Sequence, residues 1–279
     1  MINSNGALSE SNQISINNRG YRYGDALFET IKVISSKILF WEDHYFRLMS
    51  SMRILRMEIP MTFTMEYLER QILDTIVAND MEEKGCRVRL LVHREAGGLY
   101  KPESNKIEFL ITAEPLEHDH YLFFDKAYEV DLFKDFYVSA DLLSTLKTNN
   151  RVLNVVGSIY ASENDLDNCL ILNNSKNVVE ALNGNVFLFK ENILKTPPIT
   201  DGCLKGVMRK QILDIVEAIP ELNLVEESIS PFELQKADEI FITNVIQGIQ
   251  PVTKYRKKTF NVDYSRSLVS KLNAKVRMA

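Results

Sequence analysis

Short apolar segments separated by turn residues fill the second half of the chain. The stretch 168–198, "NCLILNNSKNVVEALNGNVFLFKENILKTPP", alternates short apolar runs, the longest of four residues, with Asn, Gly and Lys steps. The stretches 128–141 and 237–256 have the same character. Runs of this length with Asn/Gly turns are typical of β-strands joined by tight connections. We therefore predict a strand-rich second half that forms a curled or barrel-like sheet.

The first part of the chain mixes strands with helices. Residues 26–41, "ALFETIKVISSKILFW", have β-branched and aromatic residues around a Ser-Ser-Lys turn, which predicts a hairpin. Residues 42–57 and 65–80 have apolar residues at helical spacing. Residues 86–95 and 106–115 again have strand character. This order predicts an α+β fold for the chain.

A chain of 279 residues is longer than one compact core usually needs, so we expect two domains. The polar stretch 114–122 contains a proline, two histidines and several acids, and we predict that it links them. The smaller α/β domain would cover residues 1–113. The larger, barrel-like domain would cover residues 123–279. Its helices are expected near 149–163, 206–218, 231–236 and 265–277.

Composition narrows the classes of function. A net charge of -5 argues against a nucleic-acid surface, because the basic cluster "KYRKK" at 254–258 is short. No run of eighteen apolar residues and no signal-like start occurs, so we expect a cytoplasmic protein without a membrane partner. Three scattered cysteines predict neither disulfides nor structural zinc. His118 and His120 lie in the linker, and no metal site is expected there.

One lysine stands between an apolar run and a polar step. In "SADLLSTLKTNNRVLN", residues 139–154, Lys147 is either a solvated charge or a buried amine held for chemistry. Further along the chain, Glu180 follows two valines and precedes a Gly-Asn turn, which places its carboxylate at the edge of buried strands. A buried carboxylate requires a partner. The two residues are candidates for one reaction site.

Two loops could bind an anion through backbone amides. "TPPITDGCLKGVMRKQILDI" ends a strand and starts a helix near Gly206, so the amides of Val207 and Met208 have no intrahelical acceptor. "FITNVIQGIQPV" runs from a strand into a polar step and a glycine. An amine, a carboxylate and two anion-binding loops together suit pyridoxal phosphate, which has an aldehyde, a ring nitrogen and a phosphate. Ordinary surface lysines and turns remain the alternative interpretation.

Several motifs in order resemble the class IV aminotransferases, which are fold-type IV pyridoxal-phosphate enzymes. "NNRGYRYGDALFETIKV" resembles the N-terminal segment of the family, and "EDHYFRLMSSMRIL" its His-x-x-Arg-Leu helix. "LKTNNRVLNVV" is similar to the Schiff-base lysine segment, and "VVEALNGNVFLF" to the Glu-x4-Asn-x-Phe hairpin. "PPITDGCLKGVMR" and "ITNVIQGIQPV" resemble the two cofactor loops. The matches cover nearly the whole chain, from residue 17 to 252.

The resemblance implies a role for each matching residue. Lys147 would be the Schiff-base amine, Glu180 the partner of the ring nitrogen and Arg47 a phosphate ligand. Backbone amides would complete the phosphate site, and they belong to Val207, Met208, Val245 and Ile246. Met208 stands where the family usually has threonine, so the amide there would act without a hydroxyl. Asn185 would support the hairpin rather than the ligand.

The resemblance also bears on the reaction. "LVHREAGGLYKPES" resembles the loop of the aminodeoxychorismate lyases, which implies that Arg94 binds a substrate carboxylate, with Tyr23 and Phe28 lining the substrate site. The branched-chain pattern Phe-Glu-Gly is Phe-Glu-Thr here, and D-amino-acid transaminases have tyrosine in place of Phe28. The pattern favours 4-amino-4-deoxychorismate lyase over a branched-chain or D-amino-acid transaminase. The family also implies a small-molecule substrate and a homodimer.

Overall fold

The structure is a computed structural model, and it describes residues 1–11, 13–123 and 126–278. The chain divides into two compact units. The first contains Met1–His120 together with Lys147–Asn150, and the second contains Tyr121–Leu146 and Arg151–Ala279. The predicted linker, 114–122, spans the boundary at residue 120, and its first two residues continue a strand of the first unit.

The first unit is built on one six-stranded sheet. Its strands, in chain order, are β1 (Ile2–Ser4), β2 (Ala7–Ser9), β3 (Ala26–Ile34), β4 (Lys37–Ile38), β5 (Gly85–Arg94) and β6 (Ile107–Pro115). They lie in the order β2-β1-β6-β5-β3-β4, with antiparallel neighbours throughout. The predicted hairpin at 26–41 is confirmed, since Ser35 and Ser36 have φ values of 46° and 61° in the turn between β3 and β4.

Three helices belong to the first unit: α1 (Arg19–Tyr23), α2 (Trp41–Ile54) and α3 (Met65–Val77). The side chain of Thr64 caps α3 by accepting a hydrogen bond from Tyr67 N at 3.2 Å. Helix α2 packs on β3, and α3 packs on β1 and β6. Strand β3 is buried on both faces, so its polar residues Glu29 and Lys32 are inside the protein as well. The helices at 42–57 and 65–80 are confirmed within three residues.

The second unit contains two five-stranded sheets in place of one continuous sheet. The first, in the order β12-β11-β10-β13-β14, consists of β10 (Asn185–Lys190), β11 (Ile193–Thr196), β12 (Asn223–Glu226), β13 (Glu239–Asn244) and β14 (Gly248–Val252). The other, in the order β16-β15-β7-β8-β9, consists of β7 (Glu129–Val138), β8 (Asn168–Asn173), β9 (Val178–Ala181), β15 (Lys254–Tyr255) and β16 (Lys258–Thr259). One hydrophobic core contains residues of both, such as Leu170, Val186 and Ile240.

Four helices of the second unit match the predicted positions: α4 (Val152–Glu163), α5 (Val207–Glu217), α6 (Pro231–Leu234) and α7 (Asp263–Met278). Helices α5 and α7 both pack on β13. Ser230 and Glu233 form a capping box at the start of α6. The α+β fold class predicted for the chain is confirmed. Over the described stretches, no helix has both the length and the apolar character that a membrane span requires.

The segment around Lys147 differs from the prediction. It was expected to belong to the larger domain, but Lys147–Asn150 groups with the first unit. The reason is backbone pairing: Phe28 N donates to Lys147 O at 2.9 Å, and Asn149 N donates to Ala26 O at 2.9 Å. These bonds add a short extended segment to the edge of β3 that β4 leaves uncovered.

Candidate active site

Lys147 is fixed by the sheet of the first unit. Its backbone pairs with the first residues of β3, and its side chain is half-buried. The left-handed turn before β3, at Gly24 with φ of 66°, leaves room for the side chain of Asn150, which occupies the place of a Cβ. The segment Lys147–Asn150, which contains the predicted amine, is therefore held by backbone hydrogen bonds at one end and by the contact of Asn150 with Gly24 at the other.

Two cations, Lys147 and Arg89, lie close to the ring of Phe28. Lys147 Nζ is 4.4 Å from the ring centroid, and Arg89 Cζ is 4.1 Å from it. Arg89 Nη2 also donates to Asn149 Oδ1 at 3.1 Å, which ties the guanidinium to the lysine segment. Phe28 is 8% exposed. An aromatic face stabilises such cations by its quadrupole, and the arrangement concentrates positive charge near the amine.

The motif analysis missed Arg89, although a signal for it existed. Residues that lie opposite each other in an antiparallel pair share a face, and so do residues two apart in one strand. Arg89 pairs with Thr30, two residues after Phe28. Once β3 and β5 are paired in this register, Arg89 has to lie on the Phe28 face. The register itself was not available from the local pattern.

Arg47 has a buried carboxylate partner in the first unit. Its Nε donates to Glu29 Oε1 at 2.9 Å, and its Nη2 donates to Glu29 Oε2. Burial opposes ionisation of Glu29, but the charge of Arg47 and hydrogen bonds from His44 and Arg47 outweigh it and lower the pKa of the carboxyl to about 2. The guanidinium of Arg47, the predicted phosphate ligand, is thus oriented by its two hydrogen bonds to the charged carboxylate of Glu29.

His44 completes this buried group. Its Nδ1 lies 2.7 Å from Glu29 Oε2, and desolvation lowers the pKa of the imidazole despite that contact. Within the described residues, Nε2 of His44 is buried without a hydrogen-bond partner. The positive charge of Lys147 contributes to the same downward shift of the pKa. A neutral imidazole therefore lies within electrostatic reach of the predicted reactive amine.

Arg94 differs from its predicted role, because its guanidinium is fully engaged inside the first unit. Nε and Nη2 donate to the two oxygens of Asp25 at 3.0 and 3.3 Å. Nη2 also donates to Leu55 O, and Nη1 donates to Arg56 O and to Asn105 Oδ1. These bonds use all five N–H groups of a guanidinium, and Arg94 is 6% exposed. The structure assigns Arg94 to packing and ion pairing instead of carboxylate binding.

Asp25 is the centre of that ion-pair cluster. It also accepts from Arg19 Nε at 2.8 Å, and Arg19 donates to the carbonyls of the loop at 97–100. Burial opposes ionisation of Asp25, but hydrogen bonds and charges from Arg94 and Arg19 lower the pKa of its carboxyl overall. Tyr23 lies here as well, with its ring 5.7 Å from that of Tyr100 and 5.0 Å from Arg19 Cζ. The structure groups Tyr23 with this loop rather than with Phe28.

In the second unit, Glu180 is buried at the end of β9. It is 7% exposed, and its Oε2 accepts a hydrogen bond from Leu204 N at 2.9 Å. A carboxylate has about four acceptor positions, so this bond is compatible with a further donor such as a ring N–H. The expectation that the carboxylate lies among buried strands is therefore met.

Val207 and Met208 begin α5. The N-cap residue, Gly206, provides no side-chain hydrogen bond to the helix, and the first backbone amides of a helix lack intrahelical acceptors. Together with the helix dipole, these amides favour an anion at this end of α5. The loop before α5 also contains Leu204, so Glu180 contacts the segment that leads into this helix start.

The loop of Val245 and Ile246 is organised mainly by its own side chains. Asn244 Oδ1 accepts from Ile246 N at 3.1 Å and from Gln247 N at 2.9 Å, and Tyr121 Oη donates to Val245 O at 2.9 Å. The Ile246 amide is thus oriented towards Asn244. An anion at this loop would share that amide with the Asn244 oxygen.

Each unit, taken by itself, contains groups that suit parts of a phosphorylated pyridine aldehyde. The first unit provides an amine held by its backbone, Lys147, and a guanidinium, Arg47. The second provides a buried carboxylate, Glu180, and a helix start without a side-chain cap, at Gly206. Lys147 suits the aldehyde of pyridoxal phosphate, Glu180 suits the ring nitrogen, and Arg47 and the helix start both suit the phosphate.

Comparison with known proteins gives the family. The model of the amino-transferase class IV family matches residues 26–255. A D-alanine aminotransferase of Bacillus licheniformis is 26% identical over 263 residues, which are 91% of this chain and 88% of that protein.

Two solved structures have the same fold. The branched-chain aminotransferase of Thermoproteus uzoniensis, determined with norvaline, superposes with a TM-score of 0.88 at 22% identity, covering 98% of this chain and 93% of that one. The 4-amino-4-deoxychorismate lyase of Pseudomonas aeruginosa superposes with a TM-score of 0.84 at 25% identity, covering 98% of both chains. The chain belongs to the class IV amino-transferase family, whose members are pyridoxal-phosphate-dependent enzymes.

Proposed function

We propose that the chain is a lyase that eliminates pyruvate from 4-amino-4-deoxychorismate and leaves 4-aminobenzoate for folate synthesis. The observation that carries the proposal is the arrangement around Phe28, where an amine and a guanidinium approach one aromatic ring. The substrate is a cyclohexadiene ring that bears an amino group and carboxylates and becomes flat when it turns aromatic. Such a molecule suits a site with an apolar face and a carboxylate-binding cation.

The residues of the chain divide the binding of the cofactor. Lys147 would hold its aldehyde carbon, Glu180 its ring nitrogen, and Arg47 with the amides of Val207 and Met208 its phosphate. When bound, pyridoxal phosphate supplies an electron sink for the charge left at the amine-bearing carbon. Glu180 maintains that capacity because its carboxylate keeps the ring nitrogen protonated.

Lys147 moves the proton in the proposed reaction. Its amine takes the hydrogen from the amine-bearing carbon, and the C–O bond to the enolpyruvyl group then breaks. The same proton goes to the leaving group, which becomes pyruvate, while the ring becomes aromatic. Atoms and electrons balance without an external oxidant or reductant. The amine acts in its neutral form, the form that can accept a proton.

Arg89 takes the carboxylate-binding role that the sequence assigned to Arg94. Its guanidinium lies at the Phe28 ring and is tied to Asn149, two residues after the amine. Arg94 is buried against Asp25 and backbone carbonyls. A carboxylate bound by Arg89 would be held near the amine, which supports its use for substrate orientation.

Amino transfer from a branched-chain or D-amino acid to a 2-oxo acid is the second candidate. It is favoured by the similarity to the D-alanine aminotransferase. A continuous assay separates the two reactions. The chain is given aminodeoxychorismate, and pyruvate is followed through lactate dehydrogenase and NADH, with Lys147→Ala as the inactive control. We expect stoichiometric pyruvate and 4-aminobenzoate. Rapid amino transfer from D-alanine or L-leucine to 2-oxoglutarate, with no pyruvate from aminodeoxychorismate, would instead establish a transaminase.

We also propose that the chain forms a homodimer. Helix α4 exposes an apolar stripe of Val152, Val155 and Ile159, which are 76%, 57% and 53% exposed. The spacing of three and four residues puts them on one side of the helix. A contiguous apolar stripe on a helix supports association with another copy of the chain.

A further inference from the structure

The backbone of Leu204 is held at both its N–H and its C=O by the hairpin that contains Glu180. Leu204 N donates to Glu180 Oε2 at 2.9 Å, and Asn185 Nδ2 donates to Leu204 O at 2.8 Å. Glu180 is the third of the four residues of β9 and Asn185 begins β10, so the two contacts come from opposite sides of one tight turn. Leu204 lies three residues before Val207, the first residue of α5.

The amide oxygen of Asn185, Oδ1, is packed against Gly206. This atom occupies the place where a Cβ on Gly206 would project. Gly206 has φ of -71° and ψ of 136°, a conformation that any residue adopts, so glycine is required here for space. Asn185 is 4% exposed. One buried amide side chain thus contacts both the carbonyl of Leu204 and the N-cap residue of α5.

These contacts determine which amides can face an anion. Gly206 N donates to Leu204 O at 2.8 Å, so that amide is turned towards the loop. Lys210 N donates to Gly206 O at 3.1 Å and closes the first turn of α5. The next amides, those of Val207 and Met208, begin the set that lacks intrahelical acceptors. The direction of these two amides depends on the position of Leu204, because only two residues separate Leu204 from the first residue of α5.

We propose that Asn185 is a positioning residue for the cofactor phosphate and that it acts by fixing the loop 204–206 against Glu180. The inference rests on the proposed assignment of the phosphate to the start of α5. It goes beyond hairpin support, because it links the carboxylate at the ring nitrogen with the amides at the phosphate through one residue, Leu204. An asparagine suits the position since its NH2 donates to the carbonyl, whereas a carboxylate at 185 would face the Leu204 oxygen and repel it.

The test compares pyridoxal phosphate with pyridoxal, which lacks the phosphate. The full-length chain, freed of cofactor, is titrated with each compound by absorbance, and the dissociation constants are compared for wild type and Asn185→Ala. Loss of one buried hydrogen bond and its packing should weaken pyridoxal phosphate binding about tenfold. Pyridoxal binding should change less than about twofold, because it does not use the α5 amides. The selective loss distinguishes positioning of the phosphate from general damage to the site.

Asn3→Ala is the matched control. Asn3 is as buried as Asn185, but it lies in β1 of the first unit, where its Nδ2 donates to Gln71 O and Gln71 Oε1. We expect it to leave both dissociation constants unchanged. Gly206→Ala provides a second route, because its Cβ would displace Asn185 Oδ1, and it should reproduce the selective loss if Asn185→Ala folds poorly.

Two results would overturn the proposal: an equal loss of affinity for both compounds in Asn185→Ala and Gly206→Ala, or unchanged affinity for pyridoxal phosphate. Neither result depends on which bond the enzyme breaks. A chain that fails the pyruvate assay but loses phosphate affinity selectively would refute the proposed lyase and support the role of Asn185. The reverse outcome would refute only the role of Asn185.

Discussion

Replacing Glu29 by glutamine tests the buried group formed by Glu29, Arg47 and His44 in the first unit. The carboxylate pairs with Arg47 and contacts His44, and its pKa falls from the ordinary 4.5 to about 2. At about 1.36 kcal/mol for each pKa unit, ionised Glu29 contributes roughly 3 kcal/mol to the free energy of unfolding near pH 7. Glu29→Gln removes that contribution and leaves the Arg47 guanidinium buried without its countercharge.

The sign of the pH dependence follows from the lowered pKa. The contribution is complete above about pH 4.5, the unfolded value, and is lost as the pH falls through about 2, the folded value. At pH 3 the contribution should have fallen to about 1.4 kcal/mol. The difference in stability between wild type and Glu29→Gln should therefore shrink by more than half between pH 7 and pH 3.

Urea unfolding of both proteins at the two pH values measures this difference. Glu114→Gln is the control, because Glu114 is 70% exposed at the edge of its pair with Arg87, and such a surface pair should contribute less than about 1 kcal/mol. A loss below about 0.5 kcal/mol for Glu29→Gln at pH 7, or a difference that does not change with pH, would refute the electrostatic argument.

Three further predictions concern the site and the assembly. Lys147→Ala should abolish the borohydride-reducible yellow colour of the cofactor-loaded chain, and a colour retained in a reducible adduct would move the reactive amine to another lysine. Arg89→Met should raise KM for the substrate at least about tenfold with little change in unfolding. Arg94→Met should lower stability by about 3 kcal/mol, because Asp25 keeps, among the described residues, only Arg19 as a cationic partner and the acceptors at Leu55, Arg56 and Asn105 lose their donor. The opposite pattern in paired kinetic and urea measurements would return the substrate role to Arg94. Val155→Glu together with Ile159→Glu should convert a dimer to a monomer in analytical ultracentrifugation, and an unchanged sedimentation coefficient would place the interface elsewhere.

Local patterns in the sequence predicted most of the secondary structure. The hairpin at 26–41, the helices α2 and α3 and the Asn/Gly-separated strands of the second unit each have a clear period or turn signal within a dozen residues. The short strands β1 and β2 were missed, because three residues are too few to show a period. The division of the second unit into two sheets also has no local signal.

The candidate site residues also fall into two groups: those that a local motif predicts and those that depend on strand pairing. Motif order predicts Lys147 and Glu180 as site residues, since each prediction depends on the residue type at a point in a recognisable segment. It could not distinguish Arg89 from Arg94, which lie five residues apart on the same strand. Strand alternation puts the two on opposite faces, and only the pairing of β5 with β3 assigns one face to Phe28 and the other to Asp25.

The sequence by itself determined the family and the order of the elements and predicted a reactive lysine, because these depend on residue identity and short-range periodicity. The tertiary structure decided which polar groups meet: Arg47 with Glu29, Arg94 with Asp25, and the carbonyl of Leu204 with Asn185. The partners lie between 18 and 69 residues apart in the chain. Contacts over such separations are set by strand register and by how the buried faces pack, so a local pattern contains no record of them.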